Sequence, residues 1–127
     1  MVVREFIAHL LGGAQKALRA SGLSKGEMAR QPAFDLYKIV GGVYVGGIHM
    51  FTDSNWEMHP DGDEALTLLS GQIDVHLNEG GKASILSLKA GESCVVKKGI
   101  WHKQVVREPG MLLFHTHGNS TQHRKSL

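Results

Sequence analysis

The sequence has few of the residues that stabilise small secreted or fibrous proteins. Its single cysteine, Cys94, cannot form an internal disulfide, which excludes a disulfide-stapled scaffold and favours a reducing compartment such as the cytoplasm. Only 3 prolines accompany 16 glycines, and no three-residue period is present, so collagen-like and proline-rich structures are excluded. No apolar run approaches the roughly 20 residues that span a bilayer, and the N-terminus lacks the layout of a secretory signal. These absences predict a soluble, cytoplasmic protein with no membrane partner.

The sequence also has little excess of positive over negative charge. Fourteen Lys and Arg residues against twelve Asp and Glu residues give a formal net charge of +2, and 8 histidines add a reserve of positive charge below neutral pH. The basic residues are dispersed apart from the short run 123–125. A nucleic-acid-binding domain normally clusters its basic residues on one face. The sequence therefore predicts no nucleic-acid partner.

The length and composition indicate one globular domain. A chain of 127 residues can bury one hydrophobic core. Apolar residues make up 42% and charged residues 20%, which is close to globular averages and argues against a disordered chain. Glycine is about twice as frequent as usual. Scattered glycines in a short chain indicate many turns, and hence many short strands.

The chain divides into three segments. Residues 3–20 have apolar side chains at helical spacing and predict a short helix, which two adjacent glycines weaken, and a polar linker follows to residue 33. From residue 34 the pattern changes to short β-type segments separated by turns: 34–40, 43–51, 64–70, 72–78, 83–88, 93–97, 102–107 and 111–117. This spacing indicates a small sandwich or barrel. We predict an N-terminal helical segment over 1–33, a β-barrel over 34–118 and a polar C-terminal tail over 119–127.

Two stretches contain residues suited to binding a metal. In the first, Glu57 and His59 are two residues apart, so on a strand they project to the same face, and a tight turn then returns the chain to Glu64. In the second, a strand and a Lys-Gly turn lead to His102. Imidazole and carboxylate groups from neighbouring strands suit a divalent transition metal such as Fe, Mn, Ni, Zn or Cu.

The first stretch resembles the first motif of the cupin superfamily, Gly-x5-His-x-His-x3–4-Glu-x6-Gly. Residues His59, Glu64 and Gly71 match the second half of this motif in type and spacing. Glu57 stands where most metal-binding cupins have their first histidine. This departure from the motif changes the metal site that the resemblance implies.

The second stretch resembles the second cupin motif, Gly-x5-Pro-x-Gly-x2-His-x3-Asn. Gly91, Gly99 and His102 occur at its spacing, whereas Lys97 replaces the proline and Val106 the final asparagine. The joint spacing of the two motifs is specific, and the resemblance covers roughly residues 35–118. It implies an all-β fold, the cupin double-stranded β-helix or jelly-roll barrel, to which the short N-terminal helical segment is added.

The resemblance implies a ligand set of Glu57, His59, Glu64 and His102. This set has two neutral and two anionic donors instead of three neutral and one anionic, and it suits a divalent metal, with Fe, Mn, Zn and Ni as candidates. Glu57 is also a candidate catalytic group that handles protons. The alternative is a degenerate site in which Glu57 turns to solvent or pairs with a lysine, and no metal binds.

Histidines elsewhere add further candidates. His115 and His117 share one face of the last predicted strand. If that face is the barrel interior, His115 could be a metal ligand, a hydrogen-bond donor to one of the ligands or a catalytic acid–base group. Phe114 and Thr116 occupy the opposite face, so the pattern leaves the orientation open. We expect His49 to be a buried, hydrogen-bonded histidine of the pocket.

The same barrel hosts many functions, so three hypotheses remain open. The first is a small metal-dependent enzyme, an oxygenase or an isomerase, that acts on a small polar molecule. The second is a non-catalytic module that binds or senses a small ligand and has a degenerate metal site. The third is a structural dimer with a vestigial site. We predict a homodimer in any case, because Trp56, Met58 and the apolar N-terminal helix would otherwise form a large exposed apolar patch.

Overall fold

The computed structural model describes residues 43–118 and 120–127 in full and the strand 34–40 by its backbone. The helix predicted over 3–20 lies outside the described residues, as does the rest of 1–33. Within the described ranges every regular element is a β-strand. No helix in that part of the chain is long and apolar enough to cross a membrane. The all-β prediction is confirmed.

Ten strands follow one another in the described residues. They are β1 (Phe34–Val40), β2 (Val43–Met50), β3 (Trp56–Met58), β4 (Glu64–Leu68), β5 (Gln72–Glu79), β6 (Lys82–Lys89), β7 (Ser93–Val96), β8 (Trp101–Glu108), β9 (Gly110–His117) and β10 (Gln122–Arg124). The eight predicted segments all form strands, with ends that agree to within two residues. The two unpredicted strands, β3 and β10, have three residues each.

The strands form two five-stranded antiparallel sheets that face each other. The first sheet has the order β1-β2-β9-β4-β7 and the second has the order β10-β3-β8-β5-β6. From β3 to β10 the chain crosses from one sheet to the other at every connection except the β5–β6 hairpin. This alternation between sheets is the topology of a jelly roll.

The hydrophobic core lies between the inner faces of the two sheets. Leu66 and Leu68 of β4 alternate with half-buried residues, and Ile73 and Val75 of β5 face them, each at most 1% exposed. Full burial of one such side chain contributes about 1.5–3 kcal/mol. The core fixes which face of each strand points inward, and it therefore fixes which polar residues enter the barrel.

Gly71, the last glycine of the first motif, allows two turns to pack closely. Its φ of 83° lies in the left-handed region that favours glycine. A Cβ at this position would lie 2.5 Å from the carbonyl oxygen of Glu108. The β4–β5 turn can therefore pack against the β8–β9 turn only with glycine here.

Candidate metal centre

Four side chains from three strands and one turn meet between the sheets. Glu57 of β3 lies directly opposite His102 of β8, and His59 follows β3 in the turn that leads to Glu64, the first residue of β4. One donor atom from each lies within 4.8 Å of the others. His59, Glu64 and His102 are buried, and the Glu57 side chain is 21% exposed. The structure therefore brings together all four residues that the resemblance to cupins suggested as ligands.

The imidazole nitrogens in this cluster point at carboxylate oxygens. His59 Nε2 lies 2.8 Å from Glu64 Oε2, and His102 Nε2 lies 3.2 Å from Glu64 Oε1 and 3.3 Å from Glu57 Oε1. The Thr116 hydroxyl donates a short hydrogen bond to Glu64 Oε2. Glu57 thus faces the cluster, as a metal ligand would, and its carboxylate lies beside His102, His123 and Gln104.

The other ring nitrogen of each histidine is held by a separate partner. His102 Nδ1 lies 3.2 Å from the carbonyl oxygen of Ile100, and because a carbonyl only accepts, Nδ1 carries the proton. His59 Nδ1 is hydrogen-bonded to Thr121 Oγ1 at 2.9 Å. When Nδ1 carries the proton of a neutral ring, the lone pair is on Nε2. Both rings therefore present Nε2 to the carboxylates.

This arrangement fits a bound cation. A lone pair that faces two carboxylates is repelled unless a proton or a metal ion lies between them. His59 Nε2 is buried and makes no hydrogen bond, although Glu64 Oε2 lies close to it. An unsatisfied buried nitrogen beside a carboxylate is what a metal ligand leaves when no ion is bound. The donor set of two nitrogens and two carboxylates suits a borderline dication.

Protons compete with a metal ion for the position between the histidines and the carboxylates of the cluster. Burial disfavours the charged form of His102, but hydrogen bonds to Glu57 and Glu64, together with their negative charges, outweigh it and raise the pKa of His102 to about 10. Burial also disfavours the charged form of Glu64, but His102, the nearby His59 ring and the Thr116 hydroxyl together hold the pKa of Glu64 well below its usual range. A metal ion that enters the cluster at neutral pH must displace the proton on His102.

A cavity of about 480 Å³ opens beside the cluster, between the two sheets. Glu57, His59 and Glu64 line it together with Gln104, whose Nε2 lies 3.5 Å from Glu57 Oε1. Its other lining residues are Tyr44, Ile48, Met50, Ser54, Leu66, Leu112, Phe114, Thr116, Gly118, Thr121 and His123. The cluster is therefore accessible to a small molecule.

His115, by contrast, does not reach this site. Phe114 and Thr116 line the cavity, so the residues between and beside them project from the outer face of β9. His115 and His117 are both exposed there, with ring centroids 5.8 Å apart. The sequence pattern left this orientation open, and the structure places both histidines outside.

His49 also lies outside the cavity. Its neighbours Ile48 and Met50 line the cavity, whereas His49 is half-buried and packs against Phe51, with ring centroids 4.3 Å apart and ring planes tilted by 51°. Burial lowers the pKa of His49. The expected pocket histidine is therefore a packing residue on the other side of β2.

Sequence reasoning missed the contribution of the C-terminal segment. Strand β10 pairs with β3 so that His123 lies opposite Glu57, and His123 Nδ1 is 4.0 Å from Glu57 Oε2. The neighbouring Arg124 guanidinium lies 4.5 Å from the centre of the Trp101 ring. Thr121 and His123 line the cavity from this segment. The two-residue spacing of Thr121 and His123 was the only sequence signal for a strand here, and it was too weak to predict one because residues 121–124 are all polar.

Comparison with known proteins identifies the fold but no close relative. No protein-family model and no curated protein matches the chain. A Klebsiella pneumoniae protein with a double-stranded β-helix domain is 21% identical, with a TM-score of 0.61, over 74% of this chain and 85% of that one. Oxalate oxidase, solved with the substrate analogue glycolate, is 18% identical, with a TM-score of 0.63, over 75% of this chain and 57% of that one.

A third similar structure contains a metal ion. Hydroquinone 1,2-dioxygenase, solved with Cd²⁺ and 4-hydroxybenzonitrile, is 18% identical, with a TM-score of 0.59, over 74% of this chain and 71% of that one. The chain spans little more than half of the oxalate oxidase chain. At these identities the likeness concerns the fold, a double-stranded β-helix of two antiparallel sheets.

Proposed function

The protein has the cupin fold that its two motifs predict, and we propose that it is a metal-dependent enzyme of the oxygenase or isomerase type that acts on a small molecule. The observation that carries the proposal is the buried cluster of Glu57, His59, Glu64 and His102, whose donor atoms lie within 4.8 Å of one another. Fe, Mn, Zn and Ni are the candidate metals, because nitrogen and carboxylate donors suit borderline dications. The Cd²⁺ in the structurally similar dioxygenase supports this assignment.

His59, Glu64 and His102 would hold the metal, with Glu57 as the fourth ligand. When bound, such an ion supplies a Lewis acid that polarises an oxygen of the substrate or activates O₂. The protein itself orients both imidazoles through their Nδ1 atoms and holds the Glu64 carboxylate through a hydrogen bond from the Thr116 hydroxyl. These contacts hold the donor set in place before any ligand enters.

Glu57 is the proposed acid–base residue as well as a ligand. Its Oε1 faces His102 and Gln104, while its Oε2 lies 4.0 Å from His123, whose side chain is 62% exposed. The carboxylate therefore lies between the buried cluster and a histidine at the surface, a position that would suit a group that transfers protons between the cluster and solvent. His115, on the outer face of β9, has no part in the proposed reaction.

A second candidate function follows from the charges of the cluster. Because the pKa of His102 is raised to about 10, a proton on this ring compensates the buried carboxylates at neutral pH without a metal. The cluster could then be a stable polar end of a cavity that binds or senses a small ligand. This is the non-catalytic alternative with a degenerate metal site.

Metal analysis of the protein purified without chelator separates the two functions. We expect about one Fe, Mn, Zn or Ni ion per chain in the wild type after supplementation, and a large loss in His102→Gln. His115→Gln is the matched control, because it changes an exposed histidine outside the cluster in the same way. A wild type that stays metal-free, or a His102→Gln variant that binds as well as the wild type, would favour the non-catalytic function.

We also propose that the protein is a homodimer in the cytoplasm. Trp56 and Met58, which were expected to form part of an exposed apolar patch, are half-buried, and Lys103 Nζ lies 5.2 Å from the centre of the Trp56 ring. The support for a dimer comes instead from β6, the last strand of its sheet, where Ile85 is 61% and Leu86 42% exposed. Sedimentation as a 13.8 kDa species at micromolar concentration would contradict the dimer. The lone cysteine supports a reducing compartment.

A further inference from the structure

We propose that the cavity takes a neutral or singly charged molecule with a flat apolar body and a hydroxyl group, a phenol in chemical class, and disfavours dicarboxylates. The inference deepens the proposed function and rests on it for the metal end of the cavity. The remaining support for this ligand class comes from the shape and polarity of the cavity walls.

The first sheet gives the cavity a polar end and an apolar wall. Tyr44, Thr116 and Glu64 lie side by side on β2, β9 and β4 and form the polar end. Phe114, which precedes Thr116 by two residues on β9, is aligned with Leu66 of β4. On the β2 side Phe114 is aligned with a glycine, position 46, which adds no side chain to this row.

The apolar wall continues away from the cluster. Ile48 of β2 is aligned with Leu112 of β9, and Met50 follows Ile48 on the same face. The second sheet and its loops supply polar residues instead, among them Ser54, Gln104 and His123. A molecule in this cavity therefore meets apolar side chains on one side and polar groups on the other.

The size of the cavity suits one ring with substituents. A dry cavity of about 150 Å³ is enough to hold benzene, and pockets for small ligands start near 300 Å³. The volume here is about 480 Å³. A two-carbon diacid would leave most of the apolar wall without a contact, and it would lose the corresponding dispersion energy.

The charges disfavour a dianion. The described residues that line the cavity include two carboxylates, Glu57 and Glu64, and neither lysine nor arginine. A bound dication together with these carboxylates is electrically neutral, so a dicarboxylate would leave two uncompensated charges beside an apolar wall. A hydroxyl group or a single phenolate oxygen carries much less of this cost. Gln104 and His123, beside Glu57, offer hydrogen-bond partners for a second hydroxyl.

The methyl group of Met50 gives a direct test. Met50 lines the cavity and Met58 does not, so methyl-¹³C-labelled methionine provides a reporter and an internal control in one protein. Phenol, catechol and 4-hydroxybenzonitrile would be titrated into Zn²⁺-loaded protein, with oxalate and glycolate as comparisons. We expect the phenols to shift the Met50 signal through their ring currents and to saturate, with the Met58 signal unchanged. Oxalate should bind at least tenfold more weakly than catechol.

Variants on one strand sharpen the test. Phe114→Ala removes part of the apolar wall and should weaken catechol binding at least tenfold. Leu113→Ala is the matched control, because Leu113 is the neighbouring residue on β9 and does not line the cavity, and it should change affinity less than twofold. If Phe114→Ala does not fold, the Met50 shift in the wild type still decides the question.

The outcomes separate this inference from the proposed function. If metal analysis finds no metal but catechol still shifts the Met50 signal, the proposed function fails and the substrate class stands. If the protein binds metal and oxalate binds as tightly as catechol, the substrate class is wrong while the metal site stands. If phenols leave the Met50 signal unchanged, the inference is overturned, whether or not the protein binds metal.

Discussion

Replacing Glu57 with glutamine removes one negative charge from the cluster and keeps the shape of the side chain. Glu57 Oε1 lies 3.3 Å from His102 Nε2, and the Glu57 side chain is 21% exposed. Two unit charges at that separation interact by about 1 kcal/mol in water and about 5 kcal/mol at an effective dielectric constant near 20. For a partly exposed carboxylate we take about 2 kcal/mol, which corresponds to roughly 30-fold in metal affinity.

A second effect of the same substitution acts in the opposite direction. The hydrogen bond and charge of Glu57 contribute to the raised pKa of His102, about 10 in the metal-free protein. Metal binding at pH 7 must displace that proton, and Glu57→Gln makes the displacement easier because it lowers this pKa. The two effects partly cancel at pH 7. The advantage of the wild type should therefore grow with pH and approach roughly 30-fold only above about pH 10, where His102 of the wild type has lost its proton.

Competition with a chelator of known affinity, at several values between pH 7 and 9, measures both effects. The wild-type affinity should rise about tenfold per pH unit as His102 loses its proton, and that of Glu57→Gln should level off at lower pH. Glu79→Gln is the matched control, because Glu79 is exposed at the end of β5. Equal affinities and equal pH slopes in the wild type and Glu57→Gln would reject Glu57 as a ligand. Glu57→His should retain the affinity for Ni²⁺ and Cu²⁺, since it provides the third imidazole.

Three further predictions test the surroundings of the cluster. Thr121→Val should weaken metal binding about tenfold in the chelator assay, and Thr121→Ser should not, because the hydroxyl at 2.9 Å from His59 Nδ1 orients the ring. Gly71→Ala should lower the free energy of unfolding in urea by more than about 2 kcal/mol, whereas Gly80→Ala, also at positive φ but with open space around it, should cost about 1 kcal/mol. Equal costs would contradict the close packing of Gly71. The stability of the metal-free protein in EDTA should fall as the pH rises from 6.5 towards 10, because the raised pKa of His102 stabilises the fold below 6.5 and this contribution is lost as the ring deprotonates. A stability that rises over that range would show that the ion pair is absent.

The sequence by itself predicted eight of the ten described strands and all four residues of the cluster. Alternation such as Ile73-x-Val75 and turn residues such as Gly71 act locally, so the pattern is readable without knowledge of the fold. The spacing from His59 to Glu64 reflects one tight turn between two strands, and strand parity then gives the direction of each side chain. The motif therefore predicted the chemistry of the cluster before the sheets were known.

Only the tertiary structure decided which face of β9 points inward. Residues 111–114 are all apolar, so local alternation does not distinguish the two faces. The pairing of Thr116 with Glu64 settles the question, because β9 lies between β2 and β4 and its register is fixed by both neighbours. His115 is placed outside by the same register.

The tertiary structure also decided the role of the C-terminal segment. Residues 122–124 are polar and have little intrinsic preference for a strand, so the sequence predicted a tail there. They form β10 because β3 offers an unpaired edge, and this pairing places Thr121 against His59 and His123 beside Glu57. Contacts between segments more than 60 residues apart depend on how the sheets close around the core, and no local pattern in the sequence encodes them.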